Sequence, residues 1–205
     1  MKVLRAGALV SVLVAGLLGG TKPAKATVAV TGLVNQGGVG YPTAGSNHGW
    51  EFSPNATISV THLGLFDYDG QGFDVSHPIG LWRTDGTLLA SSVISSGTSN
   101  PLLDGFRYVS IPEVTLNAGQ HYVISYYTAT EPTSDYHFDK ALFQADPAIT
   151  YLGGRYGGGG AFQLPSYIAL PTHPDRFGPN FQFVPEPATL LLLALGGLAL
   201  MRQRS

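Results

Sequence analysis

Asp67-Tyr68-Asp69-Gly70-Gln71-Gly72-Phe73-Asp74 gathers three carboxylates and an amide in a short, glycine-rich stretch. Calcium takes about six to eight oxygen ligands, and acidic residues two apart in such a loop can converge on it. Asp67, Asp69, Gln71 and Gly72 match the first half of an EF-hand loop. The bidentate glutamate that would close that loop is missing, because Pro78 stands in its place. The segment is therefore no EF-hand. It is a candidate calcium-stabilised hairpin loop, with Asp67, Asp69, Gln71 and Asp74 as the ligand set and calcium as the one cofactor in view. An acidic turn is the plainer reading of the same residues.

The other reactive side chains are scattered. The six histidines stand at 48, 62, 77, 121, 137 and 173, with no His-x-x-x-His or His-Glu-x-x-His spacing. His62 falls on a strand pattern and reads as packed rather than ligating. His137 between Asp135 and Asp139 could hold a metal from one face of an extended segment. No Gly-x-Ser-x-Gly elbow is present, and Ser46 with His48 is only a proximity in sequence, since a triad is defined by geometry. Choosing a carboxylate pair for glycoside cleavage would be arbitrary among so many acidic residues. With no cysteine, the chain has no disulfide framework, thiolate zinc site or thiol nucleophile. Catalytic residues are accordingly expected to be none. Sugars stack on exposed rings, so Tyr151 and Tyr156, beside the run Gly153 to Gly160, are candidate ligand-binding residues, and Tyr126 and Tyr127 are expected to reach a surface. Trp82, inside an apolar strand, is expected in the core.

The elements that must position these groups are almost entirely β. Ala56 to Phe66 alternates with a period of two, as does Phe106 to Ile111. Ile79 to Arg83 and Leu88 to Ile94 flank Thr84-Asp85-Gly86-Thr87, and Asp-Gly between two such runs is a strong hairpin signal. Val114 to Leu116, an Asn117-Ala118-Gly119 turn and the strand His121 to Thr128 follow. Asn180 to Phe183 reads as a final short strand. The stretch Gly153 to Gly160 is expected to be a mobile loop, because ordering glycine costs much entropy. Short strands with frequent turns predict an all-β, jelly-roll-like antiparallel β-sandwich.

The two ends read differently from the middle. Residues 1–26 have the order of a secretory signal peptide: Lys2 and Arg5, an uncharged apolar run from Ala6 to Gly20, then Ala24-Lys25-Ala26 as the cleavage region for signal peptidase. Residues 184–205 hold Val184-Pro185-Glu186-Pro187, an uncharged apolar stretch from Ala188 to Met201, and Arg202-Gln203-Arg204-Ser205. That is a proline hinge, an apolar transmembrane helix and a basic stop that keeps its end in the cytoplasm. This ending resembles the PEP-CTERM sorting signal of Gram-negative bacteria and cyanobacteria. The resemblance rests on Pro185, Glu186 and Pro187, the leucine and glycine stretch, and the tail arginines Arg202 and Arg204. It implies processing by exosortase, a membrane protease that cleaves near the motif. It also implies delivery to the outer surface or matrix of a bacterium that makes exopolysaccharide.

The domain between them, residues 27–183, contains all 22 aromatic residues and all six histidines. Five basic residues against twelve acidic ones give it a net charge of -7, which speaks against nucleic acid or phosphate partners. Gly49-Trp50-Glu51-Phe52, Leu63 to Asp67, Ser76 to Trp82, Gly86 to Ala90, Phe106-Arg107-Tyr108 and Leu116 to Tyr122 together resemble a domain of unknown function from bacterial surface proteins. That resemblance implies a surface β-sandwich and brings no reaction with it. The sequence thus points first to an exported, membrane-anchored precursor that is sorted to the cell surface or matrix, where it has a non-catalytic structural or interaction role. A carbohydrate-binding module acting on exopolysaccharide, with or without calcium, is the alternative, and a secreted hydrolase the third reading.

Overall fold

In a computed structural model of the chain, residues 25–35, 39–40, 43–130, 137–138, 141–168 and 177–186 are described. The signal segment through Ala24 and the sorting segment from Pro187 lie outside them. The first half comprises β1 (Thr27–Val28), β2 (Val30–Asn35), β3 (Val39–Gly40), β4 (Ser46–Pro54), β5 (Ile58–Phe66), β6 (His77–Arg83) and β7 (Leu88–Ile94). The second comprises β8 (Leu102–Leu103), β9 (Phe106–Leu116), β10 (Tyr122–Thr128), β11 (His137–Phe138), β12 (Ala141–Ala145), β13 (Ile149–Gly158), β14 (Tyr167–Ile168) and β15 (Pro179–Pro185). Among the described residues there is no helix.

Two antiparallel sheets carry the fold, in the strand orders β1-β15-β5-β9-β8 and β14-β13-β4-β10-β6-β7. Lettered in chain order, β1, β4, β5, β6, β7, β9, β10 and β15 become B to I. The sheets then read B-I-D-G and C-H-E-F, which is the strand order of a jelly roll. β8 extends the first sheet, and β13 with β14 extends the second. Two small pairs, β3 with β11 and β2 with β12, complete the pairing.

The hydrophobic effect closes the sandwich through aromatic side chains from both sheets. Trp50 on β4 stacks on Phe177 at 5.7 Å and on Phe181 at 5.8 Å, and Phe52 meets Phe181 at 4.7 Å. Large rings bury much apolar area and gain further from offset or tilted contact. The indole of Trp50 also donates across the sandwich to the Pro179 carbonyl at 2.7 Å. Register fixes which residues share a face. Gly80, Ser125, Gly49 and Arg155 lie in one row across β6, β10, β4 and β13. Trp82 and Glu51 share that face, which is the outer one, because Trp50 beside Glu51 points inward.

The Asp-Gly hairpin forms as the sequence predicts. Arg83 N–H donates to Thr87 at 2.9 Å, Gly86 takes φ 95°, and the Asp85 carboxylate accepts from Thr87 N–H at 2.9 Å. The glycine run departs from expectation. Gly153 to Gly158 is the second half of β13, paired residue by residue with β4 from Glu51 to Ser46. The ladder supplies hydrogen bonds that outweigh glycine's entropy, and the missing side chains let the following segment lie close. That segment crosses the outer face: Asn47 holds the Ala161 carbonyl at 2.9 Å and Gln163 N–H at 3.1 Å, and Phe162 covers Trp82 at 5.2 Å.

Candidate functional site

The Asp67 loop is a structural knot. Asp67 and Arg107 are both buried, and the guanidinium Nε donates to Asp67 Oδ2 at 2.6 Å. The same arginine donates to Thr98 O at 3.1 Å, Asn100 O at 2.9 Å and Gly70 O at 2.9 Å. Asp67 also accepts from Gly70 N–H at 3.1 Å and Gly72 N–H at 3.0 Å. Its oxygens are thus occupied by an internal cation and two loop amides. Asp69 accepts from Gln71 N–H at 2.9 Å, while Asp69, Gln71 and Asp74 are exposed. Among the described residues no three His, Asp or Glu side chains group to hold a metal. The sequence brought these four residues together as calcium ligands; the fold commits Asp67 to Arg107, forty positions away.

The remaining candidates are distributed as follows. Tyr151 packs in the core against Trp50 at 5.9 Å and Phe143 at 5.0 Å. Tyr156 is half-buried and stacks on the exposed Tyr167 at 5.4 Å. Tyr126 and Tyr127 are buried, contrary to expectation, because both faces of β10 are covered. Trp82 is buried too, though under Phe162 on the outer face. His62 is half-buried, and burial pushes its pKa down. Pro185 ends β15, and the neighbouring Glu186 is docked: Ser59 Oγ donates to its carboxylate at 2.7 Å and its N–H donates to Thr57 O at 3.1 Å. Ala26 immediately precedes β1. Ala24, Pro187, Arg202, Arg204, Asp135, Asp139 and the His137 side chain lie outside the described residues.

Ser46 and His48 do meet, with Ser46 Oγ 2.8 Å from His48 Nε2. The hydroxyl has one proton, and Ser46 Oγ also contacts the Thr43 carbonyl, which can only accept it. Which of the two donates depends on the His48 tautomer, and the contact is a short-range one between neighbours on β4.

A polar cleft of about 440 Å³ opens at one end of the six-stranded sheet. Tyr122 pairs with Arg83, so the β6–β7 turn and the Asn117 to Gln120 turn lie side by side. Arg83, Asp85, Asn117, Gln120 and His121 line the cleft and are exposed. His121 is held in place: its Nδ1 lies 2.8 Å from Glu51 Oε1. Glu51 is in turn gripped by Arg155, whose Nε donates to Oε2 at 2.9 Å and whose Nη2 donates to the same oxygen. Sequence reasoning missed this set, because its members come from three strands and two turns far apart in the chain, and only the pairing of β6, β10, β4 and β13 unites them.

A jelly-roll sandwich with a polar cleft and a Pro-Glu motif continuous with its last strand defines an all-β surface module. The family described as Domain of unknown function (DUF4082) matches residues 36–174, and the chain belongs to it. A PEP-CTERM protein-sorting motif matches residues 183–205, which makes the chain a secreted, exosortase-sorted cell-surface protein. No curated protein matches it.

Proposed function

We propose that the sorted domain is a non-catalytic component of the cell surface or extracellular matrix of a bacterium that makes exopolysaccharide. In this reading signal peptidase removes residues 1–26, the C-terminal helix anchors the precursor transiently, and exosortase releases it. The observation that carries the reading is the passage of β15 straight into Pro185 and Glu186. No linker separates the domain from its sorting motif, so the domain itself is the cargo. Its buried charge pair supports a structural role, because Asp67 and Arg107 are spent on an internal tie. The form of association the geometry favours is carbohydrate binding, through the polar cleft.

Replacing Pro185, Glu186 and Pro187 with alanine in the exosortase-containing host tests the reading. The expected result is an unprocessed protein in the membrane fraction, while the unmodified chain co-fractionates with exopolysaccharide. Normal release of the variant, or recovery of the unmodified protein free of polysaccharide, would overturn it.

A further inference from the structure

The cleft between the two turns has the marks of a built binding site. Its walls are fixed before any ligand arrives. The β6–β7 turn is closed by the Arg83–Thr87 and Gly86–Arg83 backbone bonds, at 2.9 and 3.1 Å. The neighbouring turn is pinned by Gly119 N–H to Pro54 O at 2.8 Å and by Asn117 N–H to Tyr122 Oη at 3.1 Å. Preorganised walls lower the entropy lost on binding.

The side chains on those walls have unspent hydrogen-bonding capacity. The amides of Asn117 and Gln120 each offer a carbonyl and two N–H donors, and the Arg83 guanidinium offers five. No side-chain hydrogen bond ties any of these three within the described residues. His121 is anchored at Nδ1 by Glu51, which fixes the ring and leaves Nε2 for a ligand. The Glu51–Arg155 pair behind it is partly buried on the outer face, outside the sandwich core, and such an ion pair is weak evidence for stability. Its evident effect is to position His121.

The charge balance selects the ligand. Arg83 and Asp85 cancel each other at the rim, and the whole domain is acidic. A phosphate or a polyanion would meet Asp85 and the net charge of -7. A neutral molecule with adjacent hydroxyl groups, each both donor and acceptor, matches the amides, guanidinium and imidazole. The volume of about 440 Å³ falls within the range of small-ligand sites.

We propose that this cleft binds neutral sugar units, with Asn117, Gln120, Arg83 and His121 contacting hydroxyl groups and Glu51 positioning His121. The proposal rests on the exopolysaccharide reading above and adds the site and the charge class of the glycan. The test uses the full exported chain with maltohexaose, cellohexaose and mannohexaose as neutral probes and oligogalacturonate as the acidic comparator. The expected result is binding of at least one neutral probe and weaker binding of the acidic one. Asn117→Ala and Gln120→Ala, both exposed, should each weaken that binding about fivefold, the effect of losing one net hydrogen bond, with Tm unchanged. Full-strength binding by the double variant would overturn this site and leave polysaccharide association standing. Preference for oligogalacturonate would overturn the neutral class. Failure of every glycan to bind would overturn both the site and the broader reading.

Discussion

At Arg107 one guanidinium joins three pieces of chain: the Asp67 loop, the Thr98 to Asn100 turn and strand β9. Removing one partner of a buried pair leaves an uncompensated charge, which costs about 3–5 kcal/mol. Arg107→Met should therefore lower the urea midpoint sharply, and so should Asp67→Asn, because its NH2 group would face a donor, either Gly70 N–H or Gly72 N–H with the Arg107 guanidinium. A shift under about 1 kcal/mol for Arg107→Met would show that the knot is dispensable. His62 carries a pH effect of known sign. Burial holds its folded-state pKa below the ordinary value of 6.5, so the unfolded chain takes up the proton first. The associated stability is present above that value and is lost as pH falls from it toward the folded-state pKa. His62→Gln should flatten the fall in urea midpoint just below about pH 6.5; an unaltered slope would assign the loss to other groups. At this scale the acidic loop was visible in sequence as a cluster of oxygens, but the partner of Asp67 was not. The cation that satisfies Asp67 is a distant side chain delivered by strand pairing.

Among the elements, β10 and the strap after β13 show where periodicity stops being informative. Tyr126 and Tyr127 read as surface residues, yet as neighbours on a strand they point to opposite faces, so exposing both would need both faces of β10 to be wet. All seven residues of β10 are buried, since the core covers one face and the segment from Gly159 to Pro165 crosses the other. The hairpin at Asp85-Gly86 was legible because its cause is local; the strap was not, because its anchors at Asn47 and Trp82 are far away in the chain. Gly80 is the small residue this packing demands: a Cβ there would lie 2.7 Å from the Phe162 ring. Phe162→Ala should uncover Trp82 and cost about 2 kcal/mol, below the ~3–5 of a fully buried phenylalanine. Trp50 is buried in the core, so a red shift in tryptophan fluorescence below the unfolding transition would report Trp82 alone. An unchanged spectrum would mean that the strap does not shield it.

For the molecule as a whole, the fold class and the routing were readable from one sequence, and the site was not. Strand patterns and turn residues act over a few positions, and the Pro-Glu-Pro ending is contiguous, so both survive as text. The cleft exists only because β6, β10, β4 and β13 lie side by side. The pairing of Thr27 with Phe183 has a further consequence. The strands run antiparallel, so the chain enters the domain before Thr27 and leaves it after Phe183 at the same end of the sandwich. Pro185 pairs with Ile58, which pairs with Leu116, the residue before the cleft's own turn. The module therefore has a proximal and a distal pole. The Arg107 knot marks the distal one, and the cleft shares the proximal pole with the points where the chain enters and leaves the domain. In the anchored precursor proposed above, a tether at that pole would turn the cleft toward the bilayer, and its cleavage would free the same pole to face outward.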